Sequence, residues 1–449
     1  MITILGGGLA GLSSSYHLGH KNCRIFEKKE YAGGHIHSYA KNGFTWDEGP
    51  HLSFTKHEYV RNLFQKSVNS EFMQFPVTVT NYFHGNWIPH PAQSNLYAIP
   101  QPLRDEVLDD FLKSRSDTNR TPANYEEWLI MAFGRTFYEN FPRDYTKKYW
   151  AKDPESLTTD WVGERVFYPS IEDVKNGYSG PLERKTHYIT EVRYPKTGGY
   201  LSFANELIRG ANIELNKEVS FISFHDRTIK FSDGTTERFK ELVNTLPLPE
   251  LIERSDAPDH IRADARQLNC SSLLLVNVIC NHNALKDFNW MYVYDLEKYS
   301  TRITCMESLS PGNGVPGQTG IQVEVYFSDS KPKTESDENI AKKICGELIE
   351  MGLVKSHSEI LDIHTRWVPW ANVIFDHHRK EKLDNILTWL EQFGLSREHD
   401  DLAPMTDWKM KAEENVKFGN IVLAGRFGQW KYFWSDDCVM RGKTVAEKK

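Results

Sequence analysis

Short apolar runs separated by glycines open the chain. Residues 2–5 form one such run, a glycine-rich turn follows, and residues 9–12 resume the apolar pattern as the start of a helix. A second run, 23–26, ends at the acidic residue Glu27. A strand, a tight turn, a helix and a second strand in this order predict the first unit of a parallel α/β sheet.

Periodic patterns farther along the chain predict further elements. The sequence over about 61–190 is polar with scattered aromatic residues, and its apolar positions have helical spacing. Strand-like alternation of apolar and polar residues begins near Val192. Two prolines within 86–91 mark a turn or a sheet edge. The predicted helices are 105–113, 124–131, 201–209, 336–351 and 380–393, and the predicted strands are 213–216, 219–223, 228–231, 272–281 and 321–327. Segment 241–247 is predicted to return to the opening sheet, and segment 419–426 is predicted to form one more apolar strand, which ends at a glycine.

Charge and composition narrow the function classes. The formal net charge of −7 argues against a general surface for nucleic acid or an acidic membrane. An anionic ligand would therefore be bound by a few placed arginines. The six cysteines lie scattered without metal spacing, which is typical of reduced thiols in a cytoplasmic protein. The longest apolar run, near 273–276, is far shorter than the about 20 residues of a membrane span, and the N-terminus carries no basic leader.

The opening glycines carry the first chemical signal. Gly6, Gly8 and Gly11 match G-x-G-x-x-G, which suits a tight turn, a close approach to a pyrophosphate and close packing of helix on strand. The helix N-terminus offers free N–H groups to that anion, and Glu27 can accept hydrogen bonds from a ribose diol. A plain surface turn would explain the glycines alone. The strand, helix and acid around them predict a dinucleotide site.

The segment after Glu27 indicates which dinucleotide binds. Gly33 and Gly34 let the backbone pass against a flat ring or a phosphate. Together with Asp47–His51, this segment resembles the flavoprotein superfamily of amine oxidases, phytoene desaturases and UDP-galactopyranose mutases. The resemblance implies FAD as the cofactor, bound by Gly6, Gly8, Leu9, Ala10, Gly11, Glu27, Gly33, Gly34, Ser38, His51, Val219, Gly425, Arg426, Trp430 and Tyr432.

The fold expected on this basis is α/β, with a Rossmann-like FAD-binding domain and an inserted substrate-binding domain. A chain of 449 residues is long for one core, so two domains are expected. The FAD-binding domain is predicted to be discontinuous, and the inserted domain to combine a mixed β-sheet with helices. The first comprises 1–60, 191–270 and 401–449, and the second comprises 61–190 and 271–400.

Several longer segments resemble the UDP-galactopyranose mutases, especially the eukaryotic type. Gly425–Tyr432 is close to the G-R-F-G-x-W-K-Y of that family. The other matching segments are 86–95 with W-V-P-Y-P, 142–151 with R-P-Y-N-x-K-x-W-A, 161–166 with W-L-G-E-R-V, and 290–304 with W-x-Y and Y-R-x-T. These matches follow one another in order over most of the chain.

The resemblance implies a flavin-dependent, redox-neutral pyranose/furanose ring mutase acting on a nucleoside-diphosphate sugar such as UDP-galactopyranose. In that family N5 of reduced FAD attacks the anomeric carbon, and the sugar ring opens and recloses. NAD(P)H is one candidate for the reductant that forms reduced FAD. The implied catalytic residues are His51, Arg165, Arg302 and Tyr432. Arginines beside a leaving diphosphate give charge-assisted hydrogen bonds, and an imidazole near N5 can tune its protonation.

The implied substrate-binding residues each have a simpler alternative. Arg165 follows Glu164 on a predicted helix and could form an ordinary surface ion pair. Trp290 and Tyr292 alternate on a predicted strand and could be core residues, and His51 could be a turn residue. The full substrate-binding set is Trp87, Arg165, Trp290, Tyr292, Arg302, Asn372, Tyr432 and Asp436. No metal is expected, because the adjacent histidines 377 and 378 would point apart.

Three positions depart from the family pattern. Tyr82 stands where the family usually has an arginine, and Asn372 stands in place of a tyrosine. After Tyr432 the family continues toward an asparagine and a polar pair, whereas this chain has Phe-Trp-Ser and then Asp436 and Asp437. Carboxylates suit sugar hydroxyls better than a pyrophosphate. The sequence therefore predicts that Asp436 contacts the sugar of a related, not necessarily identical, nucleotide sugar.

Two other functions stay open at this stage. One is an FAD-dependent amine oxidase or desaturase-type oxidoreductase, which would need an apolar channel and no diphosphate arginines. The other is a flavin-binding protein without catalysis. For the mutase, the resemblance implies cytoplasmic synthesis of a galactofuranose precursor for cell-surface polysaccharide. The expected partner is the sugar nucleotide, without nucleic acid or membrane insertion, and a homo-oligomer is left open.

Overall fold

Helices and strands alternate along the chain as an α/β fold requires. The computed structural model describes residues 1–116, 121–182, 191–405 and 417–449. Within these ranges the strands are β1 (Ile2–Leu5), β2 (Cys23–Phe26), β3 (Ser38–Lys41), β4 (Phe44–Asp47), β5 (Phe72–Pro76), β6 (Val79–Phe83), β7 (Asn86–Pro89), β8 (Glu191–Pro195), β9 (Ile213–Glu214), β10 (Val219–Ser223), β11 (Thr228–Phe231), β12 (Thr236–Arg238), β13 (Leu242–Asn244), β14 (Cys270–Cys280), β15 (Trp290–Val293), β16 (Arg302–Cys305), β17 (Thr319–Phe327), β18 (Ile360–Val373) and β19 (Ile421–Leu423).

The helices occur in the same ranges, most of them between strands. They are α1 (Leu9–Leu18), α2 (Glu58–Ser67), α3 (Leu103–Ser114), α4 (Tyr125–Phe133), α5 (Arg135–Asn140), α6 (Pro142–Tyr149), α7 (Ile171–Ser179), α8 (Asn205–Ile208), α9 (Leu248–Glu253), α10 (Asp259–Arg266), α11 (Asp337–Glu350), α12 (Arg379–Glu391), α13 (Gly425–Gly428) and α14 (Ser435–Lys448). Among the described residues, no helix combines the length and the apolar character needed to cross a membrane.

Distant parts of the chain share one parallel sheet. Its order within the described ranges is β19-β13-β1-β2-β9. The apolar segments 241–247 and 419–426 supply β13 and β19. The first therefore returns to the opening sheet as predicted, and the second joins the same sheet beside it. Helix α1 packs against α14, and the Ser13 hydroxyl donates to the Val439 carbonyl oxygen over 2.7 Å. Helix α1, which follows the carboxyl end of β1, is therefore held in place by the last helix of the chain.

A second, mixed sheet lies in the part of the chain predicted to bind substrate. Its order is β18-β14-β17-β16-β15-β6-β7 among the described residues, and only the β15–β6 pair is parallel there. The proline-flanked segment 86–91 supplies β7 at one edge, as its two prolines indicated. Helix α11 packs on β14 and β18, and α3 to α7 form a helical layer beside the sheet. The sheets and helices confirm the predicted α/β class, while the domain boundaries stay predictions.

Two predicted helices are shorter or tighter than their patterns suggested. The segment 201–209 forms a 3₁₀ turn, Tyr200–Ala204, followed by α8. Arg165, which was expected on a helix, closes a three-residue 3₁₀ turn, Gly163–Arg165. Gly163 has φ +40°, a left-handed conformation that a regular helix does not contain. The orientation of Arg165 therefore depends on contacts with other parts of the chain.

Candidate functional site

A single cavity of about 590 Å³ joins the glycine turn to the mixed sheet and the helical layer. Its size is in the range of small-molecule and cofactor sites. Most of the residues predicted from the sequence meet on its walls. These are Gly6, Gly8, Leu9, Ala10, Glu27, Gly33, Gly34, His51, Arg165, Trp290, Tyr292, Arg302, Asn372, Gly425, Arg426 and Tyr432.

Some predicted cofactor residues do not line the cavity, namely Gly11, Ser38, Val219 and Trp430. Gly11 packs the helix against the turn, because a Cβ there would lie 2.1 Å from the Gly6 carbonyl oxygen. The Ser38 hydroxyl donates to the buried Asp47 carboxylate over 2.5 Å. The side chains of Val219 and Trp430 are buried in the core. In this structure these four residues therefore pack in the core or support the backbone, and they do not line the cavity.

Two predicted substrate residues also lie away from the cavity walls. Trp87 packs edge-on against Tyr82, with ring centroids 5.6 Å apart, so the pair belongs to the apolar layer of the mixed sheet. Asp436 lies in the first turn of α14 and accepts a 2.7 Å hydrogen bond from the Thr55 hydroxyl. Its carboxylate therefore braces the segment that contains Thr55, and the expected sugar contact stays a prediction without support from the cavity geometry.

The glycine turn forms a cradle of bare backbone. Gly8 pairs with Gly33 in a parallel bridge, and a Cβ on Gly34 would lie 2.9 Å from the Gly8 Cα. Gly8 precedes α1 without a side-chain cap, and the first turn of α1 contains no acidic residue. The N–H groups at this helix end are therefore oriented for an anion in the cavity.

Glu27 completes the nucleotide end of the cavity. One carboxylate oxygen accepts the Gly7 N–H over 2.7 Å and the other accepts the Lys29 N–H over 2.9 Å. A carboxylate has about four acceptor positions, so this orientation leaves capacity for a ribose diol. The cradle and the carboxylate together fit the diphosphate and ribose of a dinucleotide such as FAD.

Two histidines, His35 and His51, line the cavity. His51 donates its Nδ1 proton to the Gly49 carbonyl oxygen over 2.7 Å, which leaves Nε2 as an acceptor. Burial lowers the pKa of His51 to about 4 and that of His35 to about 3. Both imidazoles are therefore neutral near pH 7. His35 was missed by sequence reasoning, although it directly follows the glycine pair.

The lowered pKa of His51 predicts a loss of stability in acid. Its folded pKa, about 4, lies below its ordinary value of 6.5, so the unfolded chain binds the proton more tightly between these values. The free energy of unfolding of the apoprotein should fall by about 1.4 kcal/mol per pH unit for this group as pH decreases from 6.5 toward 4. Urea unfolding at pH 7, 6 and 5 should show a smaller decline in His51→Gln. Parallel declines in the two proteins would contradict the assignment.

Arg302 is held by a buried carboxylate across two paired strands. The register places Arg302 of β16 beside Glu324 of β17, and Nη2 donates to Oε1 over 2.7 Å while Nε donates to Oε2. Burial alone would lower the pKa of Arg302, but the Glu324 carboxylate raises it well above its ordinary value. The guanidinium is therefore charged and fixed, with its remaining N–H donors available at the cavity wall.

Arg165 and Arg426 both donate hydrogen bonds to the segment that follows α13. Arg165 donates from Nη2 to the Tyr432 carbonyl oxygen over 2.5 Å, and Arg426 donates from Nε to the Phe433 carbonyl oxygen over 2.8 Å. Arg426 also donates to Asn372 Oδ1 over 3.4 Å. Both guanidinium groups lie over the Tyr432 ring, at 4.9 and 4.7 Å. The departure at Asn372 thus positions an arginine.

Tyrosines complete the wall near these arginines. The hydroxyl groups of Tyr432 and Tyr149 are 2.9 Å apart, and Trp290 Nε1 donates to the Tyr292 hydroxyl over 3.0 Å. Tyr145 and Tyr149 lie four residues apart on α6, and both line the cavity. That spacing was readable in the sequence and could have identified them. Glu324 was not readable in this way, because its role depends on strand register.

A family model and a curated relative match this chain. The model described as flavin containing amine oxidoreductase matches residues 9–448. Protoporphyrinogen oxidase 2, chloroplastic/mitochondrial, of Arabidopsis thaliana is 26% identical over 187 residues, which are 39% of this chain and 37% of that protein. The match thus spans little more than a third of the curated relative.

Two solved structures are similar over nearly the whole chain. One is a reduced UDP-galactopyranose mutase, with a TM-score of 0.86, 23% identity and coverage of 99% of this chain and 93% of that chain. The other is a candidate protoporphyrinogen oxidase from Exiguobacterium sp. 255-15, with a TM-score of 0.72, 17% identity and coverage of 99% and 97%. At these identities the likeness shows the fold, and it confirms the predicted class.

Proposed function

Because the chain belongs to the family of flavin-containing amine oxidoreductases, we propose that it is a flavin-dependent, redox-neutral pyranose/furanose ring mutase. Its substrate would be UDP-galactopyranose or a related nucleoside-diphosphate sugar. One observation carries the proposal: Arg165 and Arg302 line the same cavity as the dinucleotide cradle. The overall likeness to a reduced UDP-galactopyranose mutase supports it.

The cradle would bind the cofactor. Gly8 and the N-terminus of α1 would face the diphosphate of FAD, and Glu27 would accept hydrogen bonds from its ribose. Bound FAD in its reduced form supplies a nucleophilic nitrogen, N5. His51 would lie near that edge, where its neutral Nε2 can hold a proton that the reaction must move.

The arginines would stabilise the departing nucleoside diphosphate. Arg302 uses two of its five donors on Glu324, so the others can reach a phosphate without a change of rotamer. Arg165, from the 163–165 turn, lines the same cavity, and the Tyr432 hydroxyl would be a further donor there. Fixed donors that face the developing charge lower the barrier, because they need no reorganisation at the moment of bond cleavage.

The biological setting follows from this proposal. A ring mutase consumes no net electrons, so a reductant such as NAD(P)H would be needed only to form reduced FAD. The product would be a furanose sugar nucleotide, in UDP-galactose chemistry a galactofuranose donor for cell-surface polysaccharide made in the cytoplasm.

The test is an anaerobic assay of ring isomers. Purified holoenzyme, reduced with dithionite, is mixed with UDP-galactopyranose and a panel of UDP-, GDP- and dTDP-sugars, and products are separated by chromatography. We expect one substrate to be converted to an isomer of identical mass, and none to be converted by oxidised enzyme. No isomer from any sugar nucleotide would overturn the mutase proposal.

A second candidate is a net oxidase of the same family. It is favoured by the partial match to a protoporphyrinogen oxidase. Oxygen or acceptor consumption in proportion to product would support it, and would not depend on Arg165 or Arg302. A flavin-binding protein without catalysis would instead show neither isomer formation nor oxygen consumption.

A further inference from the structure

Arg165 needs an external support to face the cavity. It closes a 3₁₀ turn of three residues, and the chain on either side of this turn is irregular. A long side chain on such a segment samples many rotamers unless other groups restrict it. The Tyr432 carbonyl oxygen accepts one N–H, over 2.5 Å, and a hydrogen bond of this kind does not by itself fix the plane of a guanidinium.

The indole of Trp434 provides a flat surface that fixes the plane of the guanidinium. The guanidinium carbon of Arg165 lies 4.1 Å from the centroid of the indole ring, closer than the 4.9 Å that separates it from the Tyr432 ring. Trp434 also lines the cavity. A guanidinium that stacks on an aromatic face keeps its N–H donors in its own plane, directed outward. The stack therefore orients Arg165 without itself occupying any of the N–H donors.

Trp434 is itself fixed from two sides. Its backbone N–H donates to the Asp437 carboxylate over 2.8 Å, which anchors the residue at the start of α14. The Phe54 ring packs edge-on against the indole, with centroids 4.9 Å apart and planes at 79°. The next residue, Thr55, donates to the Asp436 carboxylate over 2.7 Å. The two acidic residues after Trp434 thus support the aromatic pair.

We propose that Trp434 is a positioning residue that presents Arg165 to the diphosphate of the sugar nucleotide. This inference rests on the proposed function. It assigns a role to the segment after Tyr432, where the chain departs from the mutase pattern. It also predicts that the affinity for the ligand depends on the aromatic face beside Arg165.

The test is the affinity of the oxidised holoenzyme for UDP, measured by calorimetry. Loss of a desolvated cation–π contact should weaken UDP binding by about tenfold in Trp434→Leu. Trp434→Tyr keeps an aromatic face and should recover most of that loss. In an Arg165→Ala background, Trp434→Leu should change the affinity less than twofold, because the group that it positions is absent.

Controls separate positioning from general damage. Trp128→Leu removes a tryptophan of similar burial on α4 that does not line the cavity, and it should leave UDP affinity unchanged. Flavin content and the urea unfolding midpoint are measured for every variant. Equal losses for Trp434→Leu in both Arg165 backgrounds, or no rescue by Trp434→Tyr, would overturn the inference alone. If the wild-type holoenzyme binds none of UDP, GDP and dTDP, the proposed function is overturned, and the inference with it.

Discussion

Replacing Arg302 with methionine is expected to lower kcat/KM of the reduced enzyme about a hundredfold to a thousandfold. The guanidinium would stabilise charge that grows as the nucleoside diphosphate departs, and loss of one fixed donor of this kind typically has an effect of that size. Methionine retains much of the side-chain volume. The activity loss would therefore report the missing charge, and is measured as isomer formed by dithionite-reduced enzyme.

The same substitution is expected to destabilise the fold. Glu324 is 1% exposed, and without Arg302 its carboxylate would be buried without the guanidinium that pairs with it. Breaking a buried pair in this way typically costs about 3–5 kcal/mol in the free energy of unfolding. The double variant Arg302→Met/Glu324→Leu removes both charges and should regain most of the stability while staying inactive. If the double variant unfolds as readily as the single variant, the cost does not come from the unpaired Glu324 carboxylate.

Much of the fold could be predicted because its signals are local. The opening strand, turn and helix, and the returning segments 241–247 and 419–426, each carry their own apolar pattern. The parallel pairing of β13 with β1 is compatible with the long stretch of chain between them, because parallel neighbours need a crossover connection. The predicted likeness to a UDP-galactopyranose mutase-like flavoprotein is confirmed by the family model and by the solved structure.

The candidate site could be predicted only where a motif carries its residues. The cradle glycines and Arg302 lie in motifs, and they reach the cavity as expected. Glu324 does not, because its pairing with Arg302 depends on the register of two strands separated by a loop. Trp434 was overlooked for a related reason. The charge of Asp436 is the visible departure in this segment, whereas the contact that reaches Arg165 is aromatic and comes from two residues earlier.

Within the glycine motif, Gly8→Ala is expected to weaken the binding of FAD, whereas Gly11→Ala is expected to destabilise the fold. Gly8 has φ −75° and ψ 178°, a conformation open to alanine, and its Cβ would meet only the Gly34 Cα, at 3.8 Å. The apoprotein should therefore keep its stability, while the methyl group would occupy space beside the diphosphate of FAD. We expect at least a tenfold weaker binding of FAD, measured by titration of the apoprotein.

Gly11→Ala should instead damage the fold itself. Its Cβ would lie 2.1 Å from the Gly6 carbonyl oxygen, so β1 and α1 would have to separate. Overpacking of this kind typically costs about 1–3 kcal/mol, and urea unfolding of the apoprotein should show it even without flavin. The pair of variants thus separates a glycine needed for the ligand from one needed for packing. If Gly8→Ala binds FAD as tightly as the wild type, the cradle is not the cofactor site, and the cofactor assignment to Gly8 is wrong.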